Sequence, residues 1–143
     1  MTETDIRDGA PSDLAQAVAI DDHALPDSQR TVEIAARLAD GACVVAFDGS
    51  ELVGFALWDH AFFGCGFVSL LVVAKGHRRR GIGLRLLKAA EARCRTAKLF
   101  SSTNASNEAA QALFVRAGFV RSGVVENLDS DDPEIVFFKY CER

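Results

Sequence analysis

Apolar residues along this chain switch between helical and strand spacing, and most switches are marked by Gly, Pro or Asp. Asp5 to Gly9 is a short opening segment of ambiguous type. Pro11-Ser12-Asp13 supplies a helix start for Leu14 to Ala24, and Leu25-Pro26-Asp27-Ser28 ends that helix and caps a second one reaching Asp40-Gly41. Ala42 to Phe47 and Glu51 to Trp58 predict strands, joined at Asp48-Gly49-Ser50 by a turn with hairpin chemistry. Phe62 to Gly66 reads as a turn. Phe67 to Ala74 is apolar almost throughout, the pattern of a central strand buried on both faces.

The helical period returns after Arg80. Gly83, Leu87, Ala90 and Cys94 fall on one face with Leu86 beside them, while Arg85, Lys88, Glu91 and Arg95 lie away from it. Ala97 to Ser101 predicts another strand, and Asn104 can cap an alanine-rich helix that carries Leu113 and Phe114 and stops at Gly118. Phe119 to Glu126 and Glu134 to Cys141 predict a last strand pair around the polar loop Asn127 to Pro133. Two strand-helix-strand crossovers and two hairpins imply an α/β fold, α+β in some schemes, with three α-β-α layers on a central mixed sheet.

With 143 residues and 49% hydrophobic content, the chain fits a single domain over residues 1–143. Its net charge of -4 argues against general nucleic-acid binding, although His77 to Arg80 is locally basic. The segment Met1 to Asp5 has no secretory pattern, and no apolar run reaches the roughly 18 residues of a membrane helix. A cytoplasmic protein without membrane contact is the expectation. Cys43, Cys65, Cys94 and Cys141 show no metal-ligand spacing; they are expected to be buried, reduced thiols, and no metal is called for.

The segment Arg78-Arg79-Arg80-Gly81-Ile82-Gly83 lies between the central strand and the next helix. Three arginines there oppose the positive end of the helix dipole, and no acid in the first turn compensates. An anion held by the loop amides and guanidinium groups would relieve the conflict. The third glycine of a dinucleotide fingerprint is missing, and no GxxxxGK[ST] sequence occurs. On its own the loop is also consistent with a solvated basic turn.

The wider pattern separates these readings. Val73, Arg78, Gly81 and Gly83, then Asn104-Ala105-Ser106-Asn107, then Leu113-Phe114 and Gly118-Phe119, resemble the GNAT superfamily of acyl-CoA-dependent N-acyltransferases. Its (Gln/Arg)-x-x-Gly-x-(Gly/Ala) signature is met at Arg78, Gly81 and Gly83, and the order of segments fits over nearly the whole chain. The resemblance implies an acetyltransferase that moves an acetyl group from acetyl-CoA to a primary amine by direct attack. It implies that Arg78, Arg79, Arg80, Gly81, Ile82 and Gly83 hold the pyrophosphate and neighbouring phosphates. The pantetheine arm is then expected along Leu71, Val72 and Val73, with a backbone N–H near Leu71 polarising the thioester carbonyl. Asn107 and Phe114 stand at family positions beside the cofactor arm.

Two family features are absent. The position where many members carry an acidic tyrosine is Phe114, and the position of a glutamate base is Ser102. The remaining candidates for proton transfer are His60, whose ordinary pKa suits a base, and Glu126 or Asp129. The acidic loop around Asn127 and Asp129 would favour a cationic acceptor, either a small molecule or a peptide amine. A non-catalytic acyl-CoA-binding or sensor domain is the alternative, and the exposed edges of the last hairpin suit either a monomer or a homodimer.

Overall fold

The computed structural model describes residues 4–142. Met1 to Glu3, part of the segment read for a leader, and Arg143 lie outside them. The ambiguous opening segment is β1 (Thr4–Asp8), paired antiparallel with β2 (Cys43–Asp48) from Thr4↔Asp48 to Asp8↔Val44. Between them come a 3-10 turn (Pro11–Asp13), α1 (Leu14–Ile20) and α2 (Gln29–Ala39). Helix α1 stops at Ile20, short of the expected Ala24. The Asp21 carboxylate accepts the His23 N–H at 3.0 Å and pairs with Arg30 at 2.8 Å, so it fixes a turn that competes with the helix. Ser28 caps α2 as predicted, accepting the Thr31 N–H at 3.2 Å.

Strand β3 (Glu51–Phe62) runs beyond Trp58, because the following turn narrows to Phe63-Gly64, with φ of 52° and 77°. Two left-handed residues in succession match the twist of a tight hairpin. β4 (Cys65–Val73) then leads to α3 (Ile82–Arg93), β5 (Lys98–Asn104), α4 (Glu108–Arg116), β6 (Val120–Val125) and β7 (Glu134–Tyr140). The cap of α4 is Asn107 rather than the expected Asn104, which still belongs to β5; Asn107 Oδ1 accepts the Ala110 N–H at 3.0 Å.

Among the described residues seven strands form one sheet in the order β1-β2-β3-β4-β5-β7-β6, in which only β4 and β5 run parallel. One face packs Val44, Ala56, Trp58 and Val68 against Ile82, Leu86 and Leu87 of α3 and Phe114 of α4. The other packs Val45, Phe55 and Leu57 against Ala17 of α1 and Ile34 and Leu38 of α2. The expected three layers are therefore present, with helices on both faces of a mixed sheet.

Glu91 departs from the predicted helix face. It is 7% exposed, with its carboxylate 2.9 Å from Lys139 Nζ on β7. The ammonium also donates to the Ala117 carbonyl at 3.0 Å, and the Glu142 N–H donates to the second Glu91 oxygen at 2.7 Å. A buried charge pair of this kind is tolerable because its remaining valences are filled. Cys43 and Cys94 are buried as expected, whereas Cys65 and Cys141 are half-buried. Burial, assisted by Asp13, pushes the Cys43 thiol up to about 12, so it stays protonated and unreactive. Among the described residues, no helix is long and apolar enough to cross a membrane.

Candidate functional site

β4 and β5 share only three rungs, Gly66↔Leu99, Phe67↔Phe100 and Val68↔Ser101. At the last of them Ser101 Oγ donates to the Val68 carbonyl at 2.8 Å. Beyond it the strands part. On the β3 side the register steps from Trp58↔Val68 to Leu57↔Leu70, which leaves Ser69 as an extra residue. Such a bulge bends its strand and increases local twist. β5 meanwhile continues along β7, through Ser102↔Val136 to Asn104↔Glu134. Among the described residues no strand pairs with β4 on its β5 side from Ser69 to Val73, and a wedge opens there. Leu70 to Val73 are consequently half-buried rather than sealed on both faces as their composition predicts.

The wide end of the wedge leads to the arginine-glycine loop. Arg78 is extended and its Nε donates to the Val73 carbonyl at 3.2 Å, tying the loop to the end of β4. Arg79 and Gly81 are left-handed, with φ of 64° and 79°. Left-handed residues alternating with ordinary ones turn neighbouring N–H groups into one concavity, the arrangement that holds anions. Gly81 then starts α3 without a side-chain cap, and the first turn contains no acid. The arginines separate here. Arg80 lies 2.7 Å from His77 Nδ1 and 3.7 Å from Asp48, whereas Arg79 makes no hydrogen bond or ion pair among the described residues.

Two members of the predicted loop can contribute only through their backbone. Ile82 is 2% exposed, its side chain belonging to the core. A Cβ on Gly83 would stand 3.0 Å from Leu113 Cδ2, so glycine at this position lets α3 approach α4.

At the apex of the wedge, Ser102 Oγ donates to Glu134 Oε2 at 2.6 Å. Alternation along β5 sets the face: Leu99 joins the core under α3, so Phe100 and Ser102 point to the side carrying α1 and α2. Across the opening, Ser69 Oγ is 3.4 Å from Glu33 Oε1 of α2. Two carboxylates from distant parts of the chain thus flank the point where β4 leaves β5. Neither is singled out by the sequence, where Glu134 opens the last predicted strand and Glu33 lies within the second predicted helix.

Other predicted site residues are placed elsewhere or otherwise engaged. Phe114 is 4% exposed, its ring centroid 5.5 Å from that of Phe119 and 5.2 Å from that of Phe137, which makes it a core residue. Asn107 spends its Oδ1 on the α4 cap, leaving its Nδ2 for a ligand. Asp129 accepts from Asn104 Nδ2 at 2.8 Å, and Asp132 binds the Ser106 hydroxyl and N–H at 2.6 and 3.0 Å, so the acidic loop is fastened to the β5–α4 connection. Glu126 and Asn127 are exposed beside it. His60 is not brought to the wedge. It follows Asp59, which pairs with Phe67 at the closed end, and its Nε2 accepts the Arg95 N–H at 3.1 Å. Burial and then Arg95 hold its pKa below 6.5 against the opposing pull of Asp59.

A family model described as the Acetyltransferase (GNAT) family matches residues 12–119. Comparison with curated proteins finds no match. Among solved structures, a GNAT-family acetyltransferase from Bacillus cereus ATCC 10987 is 38% identical, with 99% of each chain covered and a TM-score of 0.92. The ribosomal-protein-S18-alanine N-acetyltransferase of Escherichia coli is 23% identical over 99% of this chain and 96% of its own, with a TM-score of 0.79. The yncA protein of Salmonella typhimurium, solved with its cofactor acetyl-CoA, is 18% identical over 98% and 95%, with a TM-score of 0.77.

Proposed function

Because the chain belongs to the GNAT family of acetyltransferases, we propose that it transfers the acetyl group of acetyl-CoA to a primary amine by direct attack. The observation that carries this reading is the continuous path from the unpaired side of β4 to the left-handed loop at the start of α3. A pyrophosphate suits the amides of residues 79–83 and the dipole of α3. Arg79, without a hydrogen bond or ion pair among the described residues, supplies a cation for the phosphates. The amide-rich pantetheine arm can bond to the backbone of Leu71 to Val73 as an added strand would, with Asn107 Nδ2 as a further donor. Each of these groups recognises the cofactor by its own chemistry, so the residues fit it.

The Leu71 N–H, held by the sheet, polarises the thioester carbonyl and takes up the charge that develops on its oxygen. Phe114 has no proton to donate. Thiolate is nevertheless a fair leaving group, since an ordinary thiol has a pKa of about 8.5, and positioning supplies much of the remaining rate. Glu33 and Glu134 beside the wedge favour a cationic acceptor, either a small amine or a peptide amine.

The test combines acetyl-CoA titration calorimetry with release of free CoA over a panel of spermidine, lysine and a peptide beginning with alanine. The expected result is saturable acetyl-CoA binding and CoA release with at least one amine. Arg78→Ala together with Gly83→Val should weaken acetyl-CoA binding by about tenfold or more, because the loop is released from β4 and α3 is pushed away from α4. Binding without transfer to any amine would identify a binding module instead.

A further inference from the structure

The wedge is flanked by two carboxylates, although the family position for a base holds only the hydroxyl of Ser102. We propose that Glu134, reaching across from β7, is the proton acceptor for the incoming amine, an inference that rests on the acetyl-transfer reading above. The Ser102–Glu134 hydrogen bond puts this carboxylate beside the β5 position where a glutamate base would otherwise stand. A base lost from one strand is thereby replaced from its neighbour.

Its surroundings suit the task. Glu134 opens β7 and is paired with Asn104 on one side and Val125 on the other, so its backbone is fixed by the sheet. The 2.6 Å bond from Ser102 orients one carboxylate oxygen and leaves the other available. Among the described residues Glu134 meets no cation, and its partial exposure allows a proton to pass on to solvent. The nearby acids differ: Asp129 and Asp132 are already bound by Asn104 and Ser106. Glu33, on the other bank, adds negative potential that favours an ammonium between the two carboxylates.

The proton balance closes without a further co-reactant. The ammonium gives one proton to Glu134, and the freed nitrogen lone pair attacks the thioester carbon. The C–N bond forms, the C–S bond breaks with its electron pair remaining on sulfur, and the second nitrogen proton ends on the thiolate. Glu134 then returns its proton to water. The products are the acetamide, CoA as the free thiol and one released proton.

Glu134→Gln keeps the Ser102 contact but cannot accept the proton. Its kcat with spermidine should fall about 100-fold, the scale of a lost general base, while acetyl-CoA affinity and melting temperature stay unchanged. In a second, non-catalytic readout, spermidine titrated into the protein–CoA complex should bind about tenfold more weakly to Glu134→Gln, because an ion pair is lost. Ser102→Glu added to Glu134→Gln should restore much of kcat by returning a carboxylate to the β5 position. If wild type releases CoA with spermidine and Glu134→Gln does so equally fast, the role of Glu134 is refuted and acetyl transfer stands. If wild type acetylates no amine of the panel, the transfer reading fails and takes this role with it.

Discussion

The two ends of α3 treat charge in opposite ways. At the C-terminal end, Glu91 is buried against Lys139, and the surplus hydrogen-bonding capacity of both is used by Ala117 and Glu142. At the N-terminal end, Arg79 is left-handed and partnerless among the described residues, and Gly81 starts the helix without a side-chain cap. The same helix therefore closes one charged site completely and leaves the other with unfilled donors. The closed end does structural work, and the open end has the composition of a site completed by an anion.

Breaking the closed end should give the largest effect. Lys139→Met leaves a buried carboxylate without its cation, a change that typically costs about 3–5 kcal/mol. Denaturant unfolding should register that loss, whereas acetyl-CoA affinity, measured where the variant is still folded, should not change. A large fall in affinity would mean that the two ends are coupled. At the open end the effects are smaller and fall on binding. Arg79→Ala should weaken acetyl-CoA binding about tenfold at low salt, with the difference shrinking as salt screens it. Arg80→Ala, which removes a group already engaged by His77 and Asp48, should cost about twofold, as a partly exposed ion pair does. Equal losses from the two arginines would erase the distinction drawn between them.

The open end is legible in the sequence because its parts are contiguous: the strand, Arg78, the glycines and the helix start follow one another within a few positions. The segment order did the same for the three-layer fold. The closed end is not legible, since Glu91 looks like a solvated helix position until β7 delivers Lys139 beside it. The wedge is hidden for a related reason. An apolar strand reads as buried on both sides, and only the pairing of β5 with β7 shows that β4 loses a neighbour after Val68. Glu134 belongs to the same class, its position beside Ser102 depending on register rather than on proximity in the chain. Asn107 displaced Asn104 as the α4 cap because β5 extends through Asn104, a boundary that two asparagines in similar contexts do not reveal. His60 has suitable chemistry but lies at the closed end of the wedge, where Arg95 occupies its free nitrogen.

A crystal structure of the protein with acetyl-CoA would test the assignment of the wedge most directly. The pyrophosphate should lie within hydrogen-bonding distance of the amides of residues 79–83, with the arm along Leu71 to Val73 and the thioester carbonyl on the Leu71 N–H. Acetyl-CoA bound away from β4, or a wedge closed by pairing of Ser69 to Val73 with β5, would contradict it.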